Sequence, residues 1–183
     1  MKAIILNVAI SLFLSMGCNI SAQAAEQAHL KELQNLQDLA MQSKQQQLPI
    51  LIMFCAEWCE FCQLLNERIF TPMALNGLYE GKVVLMRHAG VDEDQSIPGW
   101  NGQLINKSNW AYELDADLTP TVLFFDGEGK EVAPRIIGIS EISLYAGIIH
   151  QNLNIAYRNM GLDRQIPITP ELLYIQSKQT QKN

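Results

Sequence analysis

Apolar residues run almost unbroken through residues 48–55 (Leu-Pro-Ile-Leu-Ile-Met-Phe-Cys), the pattern of a strand buried on both faces. Residues 63–70 then change to a helical period, with Leu65, Ile69 and Phe70 on the inner side. Upstream, Leu30, Leu33, Leu36, Leu39 and Ala40 recur every three to four positions among Gln, Glu, Lys and Asp. That spacing predicts an amphipathic packing helix over residues 26–41, followed by a polar connector at 43–47. Thr71-Pro72 breaks or kinks the pattern, and Asn76-Gly77 and Glu80-Gly81 mark turns around a second helical piece at 72–79.

Residues 82–88 read as a strand and 90–102, rich in Asp, Gly and Pro, as a loop. Residues 104–114, with Trp110 and Tyr112, read as a helix. Strands at 121–125 and 131–137 flank Asp126-Gly127-Glu128-Gly129-Lys130, a strong hairpin signal. Ser140 is placed to cap a helix running to about Met160, with Ile142, Tyr145, Ile148, Ile149 and Leu153 along one side. Thr169-Pro170-Glu171 opens a short helix at 172–175, and the chain beyond Gln176 is polar. Strand–helix–strand, then helix and hairpin, makes an α/β domain with a central mixed sheet flanked by helices.

The length of 183 residues fits one domain with appendages. A net charge of −6 and no basic stripe argue against a nucleic-acid partner. At the N-terminus, Lys2 precedes an apolar stretch over residues 3–16, and Ala22-Gln23-Ala24 offers small residues for a signal peptidase. The expectation is a signal peptide at 1–24, a helix and linker at 25–47, a domain at 48–160 and a tail at 161–183. This places the mature chain in the periplasm, with no stable membrane insertion. Lipidation of Cys18, after Gly17, is the weaker alternative because Ser15 stands where a lipobox has Leu.

Cys59 and Cys62 carry the candidate chemistry. Two residues apart at the start of a helix, they can close a small ring. The first sulfur sits over unpaired N–H groups that favour the thiolate, the species that attacks disulfides. A metal clip is the alternative, but it normally needs a second ligand pair. Export leaves Cys55, Cys59 and Cys62, an odd number, so one pair and one leftover is the minimum description.

With this order of elements, the chain resembles the thioredoxin-fold superfamily over residues 48–153. The landmarks are Phe54-x-Ala56-Glu57-Trp58-Cys59-x-x-Cys62, Thr119-Pro120-Thr121 before a strand, and the hairpin at 124–130 with Gly138 beyond it. The long loop containing Gly99-Trp100-Asn101-Gly102 is similar to exported SoxW-like thioredoxin-related proteins, and the C-terminal domain of transmembrane disulfide reductases is a near relative. The resemblance implies a thioredoxin fold with an extra N-terminal helix and a C-terminal extension. It implies a thiol-disulfide oxidoreductase without cofactor, in which Cys59 attacks a substrate disulfide and Cys62 resolves the mixed disulfide.

In that family the proline matching Pro120 is cis and lies against the disulfide. Thr119 then offers its backbone to an extended substrate chain, and Trp58 contacts the substrate. The implied partners are disulfide-bearing envelope proteins and a membrane thiol-disulfide electron donor. Thioredoxins place a buried Asp six residues before the first Cys; this chain has Met53. Glu60 and Phe61 also depart from the usual Gly-Pro. An inert structural disulfide is the bland alternative, and a disulfide oxidase or isomerase uses the same steps in other directions.

Cys55 and Cys59 also have the Cys-x-x-x-Cys spacing of thioredoxin-fold copper chaperones, with His88 able to approach. The plainer expectation is a buried strand-end Cys and no metal, and an intermediate one is a Cys55–Cys59 disulfide. Trp100 is assigned either to the same face or to packing on its own domain. Asp92, Glu93 and Asp94 read as a solvated loop, and His29 and His150 as surface or helix-end residues.

Overall fold

The computed structural model describes residues 30–180. The expectations for residues 1–24, including Cys18, and for His29 lie outside the described residues. Among those described, no helix is long and apolar enough to cross a membrane.

A five-stranded mixed sheet forms the centre, in the order β1 (Lys31–Glu32), β3 (Leu85–Gly90), β2 (Ile50–Cys55), β6 (Thr121–Phe125), β7 (Ile136–Ile137). β1 and β2 run parallel to β3, while β6 is antiparallel to both β2 and β7. Every residue of β2 is buried, because its two faces serve two separate cores. Leu51, Met53 and Cys55 enter one core together with Leu65, Phe70, Val122, Phe124, Ile149 and Leu153. Ile50, Ile52 and Phe54 enter the other with Leu36, Leu39, Trp110, Leu123 and Phe125. That two-sided burial is why the strand reads as a continuous apolar run.

The helices are α1 (Leu36–Gln46), α2 (Glu60–Leu65), α3 (Thr71–Leu75), α4 (Lys107–Glu113), α5 (Ile142–Asn159) and α6 (Pro170–Thr180). The predicted helix at 26–41 is corrected: the chain is extended at β1, and α1 starts only at Leu36. Leu30 and Leu33 go to opposite cores, which suits an extended segment. Asn35 then caps α1 by accepting the Asp38 N–H at 3.0 Å. Residues 43–46, expected as connector, continue α1.

Thr71-Pro72 does not break the helix. Residues Asn66–Phe70 form a π turn between α2 and α3, and Thr71 N–H reaches back to the Asn66 carbonyl. Pro72 falls in the first turn of α3, where a missing N–H costs little. Strand β3 starts at Leu85, later than predicted, because the N–H groups of Lys82, Val83 and Val84 are all taken by the Tyr79 carbonyl. Part of the predicted loop and helix at 90–114 is a ribbon, β4 (Ser96–Pro98) against β5 (Leu104–Asn106). Asn106 caps the shorter α4.

The hairpin forms at Asp126–Lys130, but the return strand is reduced to a bridge at Glu131 and the two residues of β7. Pro134, which has no N–H for a ladder, lies in the gap. Gly129 takes φ +81°, and a Cβ there would come within 2.8 Å of the Trp100 ring. Trp100 itself packs on Trp110 and Phe125, which settles it as a domain-packing residue. Glu141, not Ser140, caps α5. α6 runs on to Thr180, well past the four residues expected.

Candidate active site

Strand β2 ends at Cys55, and the turn Ala56-Glu57-Trp58 delivers Cys59 as the N-cap of α2. An N-cap side chain meets the unpaired N–H groups of the first helical turn. Here that side chain is a thiol: Cys59 Sγ accepts the Cys62 N–H at 3.3 Å. The turn is fixed from behind by Asp92, whose carboxylate accepts the Glu57 N–H at 3.0 Å.

The Thr119–Pro120 bond is cis, and the Thr119 carbonyl lies 3.7 Å from Cys59 Sγ. Residues 60 apart in the chain therefore meet at the Cys59 sulfur. Cys59 and Cys62 are each 5% exposed, whereas Trp58 and Phe61 stand out at 77% and 63%. The pair thus sits in a recess with two exposed aromatic rings at its rim. Glu60 is also exposed, where solvent screens its charge from the sulfur.

Cys55 lines one cleft with Cys62, and of the two other thiols it is Cys62 that acts most strongly on it. The Cys55 thiol donates to Cys62, and this is the largest influence on the Cys62 sulfur. Burial opposes ionisation, and further donation from Cys59 and Ala56 helps it. Together they pull the Cys62 thiol from 9.0 down to about 6. The same bond, together with burial, pushes Cys55 far up. Within this pair Cys55 is shifted toward the thiol and Cys62 toward the thiolate.

A measurable consequence follows for the reduced protein. Because the folded value of Cys62 is depressed, its ionisation adds stability that is fully present above about pH 9 and is lost as pH falls through about 6. In a thiolate-absorbance titration, Cys55→Ala is expected to move the lowest step upward. Cys55→Ser, which keeps a donor, should leave it nearer the wild-type position. An unchanged step in Cys55→Ala would refute the assigned hydrogen bond.

Behind the thiols lies a cleft of about 240 Å³, lined by Leu30, Met53, Cys55, Ala56, Glu57, Cys62, Gln63, Asn66 and His88. Met53 and His88 are in register on adjacent strands, and His88 is in turn in register with Glu32 on β1. His88 Nδ1 lies 2.7 Å from Glu32 Oε2. Lys107, fully buried, donates to Glu32 and reaches Glu93 at 2.7 Å. For Glu32, burial disfavours the charge, but the bonds from His88 and Lys107 outweigh it and hold the carboxyl below its ordinary value.

Glu32, His88 and Glu93 form the group of potential metal-binding side chains whose ligand atoms converge among the described residues, and the cysteines are not in it. The Lys107 ammonium already occupies two of its three members. The acidic loop is therefore structural rather than merely solvated: Asp92 holds the turn before Cys59, Glu93 holds Lys107, and Asp94 accepts from Asn106.

Three residues gained significance only from the fold. Glu32 falls among the polar positions of the predicted 26–41 helix but lies on β1. Tyr145 is a core residue whose buried hydroxyl has no hydrogen-bond partner among the described residues, and burial, then the neighbouring Cys55 and Cys62, raise its pKa. His150 is fully buried rather than at a helix end. Its Nδ1 donates to the Pro167 carbonyl, so Nε2 accepts from Tyr79 Oη at 2.7 Å.

A family model described as a thioredoxin-like domain matches residues 36–152. No curated protein matches the chain. Among solved structures, the oxidised thioredoxin O2 of Arabidopsis thaliana is 23% identical, with 68% of this chain and 94% of that one covered and a TM-score of 0.43. Oxidised mitochondrial thioredoxin 3 of Saccharomyces cerevisiae is 22% identical, covering 66% and 93%, with a TM-score of 0.44. A mutant thioredoxin of Halobacterium salinarum is 17% identical, covering 69% and 93%, with a TM-score of 0.47.

Proposed function

This chain belongs to the thioredoxin-like domain family, and on that premise we propose that it is an exported thiol-disulfide oxidoreductase that reduces disulfides of envelope proteins. The observation that carries the reading is Cys59 at a helix N-cap, its sulfur held by the Cys62 N–H and facing the Thr119 carbonyl. Cys59 is the nucleophile. Its thiolate attacks one sulfur of the substrate disulfide, and the other substrate sulfur leaves with the electron pair. Cys62 then attacks Cys59, so that the enzyme ends as a Cys59–Cys62 disulfide and the substrate as a dithiol.

The rim residues fit recognition of an extended chain beside the sulfur. The backbone of Thr119, before Pro120, presents polar groups to such a chain, and Trp58 and Phe61 give it apolar surface. We assign the protein to the exported, SoxW-like branch, on the strength of the signal-like residues 1–24 and the long loop at 90–102. A membrane dithiol donor recharges it.

The test is the redox state of the pair in living cells of the source organism, by alkylation of trapped thiols, with and without its membrane disulfide reductase. A pair that is mainly reduced only when the reductase is present is the expected result. A pair that is oxidised in both would make the protein an oxidase instead.

A further inference from the structure

We propose that His150 is a latch for the C-terminal extension, and that protonation of its imidazole releases residues 161–180 from the domain. The inference goes beyond the oxidoreductase reading and does not depend on it. α5 ends at Asn159, and the chain reverses at Gly161, φ +71°, to run back beside the same helix. Asn154 holds Ile166 twice, donating to its carbonyl at 2.9 Å and accepting its N–H at 2.8 Å. One turn earlier on α5, His150 Nδ1 lies 2.5 Å from the Pro167 carbonyl. Arg164 reaches the Lys82 carbonyl and lies over the Tyr157 ring. These bonds seat Ile166 and Leu173 in the core that also takes Tyr79, Tyr157, Cys59 and Cys62.

The latch fits only the neutral ring. His150 is fully buried, and both of its nitrogens are engaged. Nδ1 donates to Pro167, which leaves Nε2 to accept from Tyr79 Oη at 2.7 Å. A proton on Nε2 sets two donors against each other until the Tyr79 hydroxyl turns. It also puts a charge where water does not reach.

The groups that face the ring are Tyr79 ahead of β3, the Pro167 carbonyl of the extension and Glu171 on α6. Burial has the largest effect and pushes His150 below its ordinary value, while the Pro167 bond and the Glu171 charge oppose it without reversing it. Glu171 is exposed, so solvent screens its charge from the ring. Once the extension leaves, His150 meets water and takes a proton at the ordinary imidazole value. The docked state is therefore fully stable above that value and loses stability as pH falls through it toward the lower docked value. One proton is taken up on opening, so the opening equilibrium rises by up to about tenfold per pH unit in that window.

The experiment is hydrogen exchange of the full chain between about pH 7.5 and 5, read by mass spectrometry and corrected with an unstructured reference peptide. Peptides covering residues 162–180 are expected to lose protection by roughly three- to tenfold for each pH unit below about 6.5. Peptides covering β2 and β6 should keep theirs. His150→Gln retains a donor for Pro167 and an acceptor for Tyr79 but does not titrate, so its protection over 162–180 should be flat with pH. If glutamine fails to hold the extension at any pH, the wild-type profile carries the test by itself. Wild-type protection of 162–180 that does not change with pH would overturn the proposal. So would a fall shared equally by β2 and β6, or the same fall in a docked His150→Gln.

Discussion

Cys59→Ser is expected to lower disulfide-exchange activity by on the order of a thousandfold or more, because a serine hydroxyl under the same Cys62 N–H is scarcely ionised at neutral pH. Cys62→Ser is expected to behave differently. Its Cys59 is intact and still capped by the backbone N–H of residue 62, so the first attack proceeds. The mixed disulfide then accumulates, because the remaining thiol, Cys55, is buried and its pKa is pushed far up, which keeps it from attacking.

Mass spectrometry under non-reducing conditions separates the two outcomes. A substrate adduct on Cys59 in Cys62→Ser, absent in Cys59→Ser, is the expected result. Substantial activity in Cys59→Ser would remove Cys59 from its role. Rapid clearance of the adduct in Cys62→Ser would show that Cys55 can resolve it, against its burial as a thiol.

Phe124→Ala is expected to destabilise the protein by about 3–5 kcal/mol. Phe124 is the fourth of the five residues of β6, in register with Leu51 of β2, and is fully buried. It fills the same core as Cys59, Cys62 and the buried side of α5. Removing the ring takes away the burial of a large apolar group and leaves a cavity that two paired central strands cannot close. At about 2–4 °C per kcal/mol for a domain of this size, the midpoint should fall by roughly 10 °C. Ile137→Ala, at an edge position that is 52% exposed, is the control and should change little. Thermal unfolding of the reduced proteins tests both, and a loss below about 1 kcal/mol at Phe124 would show that the core repacks.

The elements that could be read from sequence are those whose signal is local. The two-sided burial of β2 appears as an unbroken apolar run, and the inner side of α5 as the spacing Tyr145, Ile149, Leu153. The hairpin at 126–130 shows in its glycines and in Asp126, which binds the N–H groups of Glu128 and Lys130. Reading failed where a distant contact overrode the local pattern. Leu30 and Leu33 have helical spacing with their neighbours, but pairing with β3 draws the chain out at Lys31 and Glu32. Pro72 signals a break, yet the π turn places it where its missing N–H is harmless.

By itself, then, the sequence determined the thioredoxin-like family and the placing of Cys59 and Cys62 one helical turn apart, because residues three apart across an N-cap are brought together by backbone geometry alone. It also marked Thr119-Pro120 through the resemblance. Only the tertiary structure decided that Cys55 and Cys62 line one cleft and that Asp92 braces the turn. It alone aligned Glu32, His88 and Met53 in one row behind the thiols. Those relations depend on strand register and on the direction of side chains across a sheet. A one-residue slip in pairing would send His88 to the opposite core, and nothing local to residue 88 records that choice.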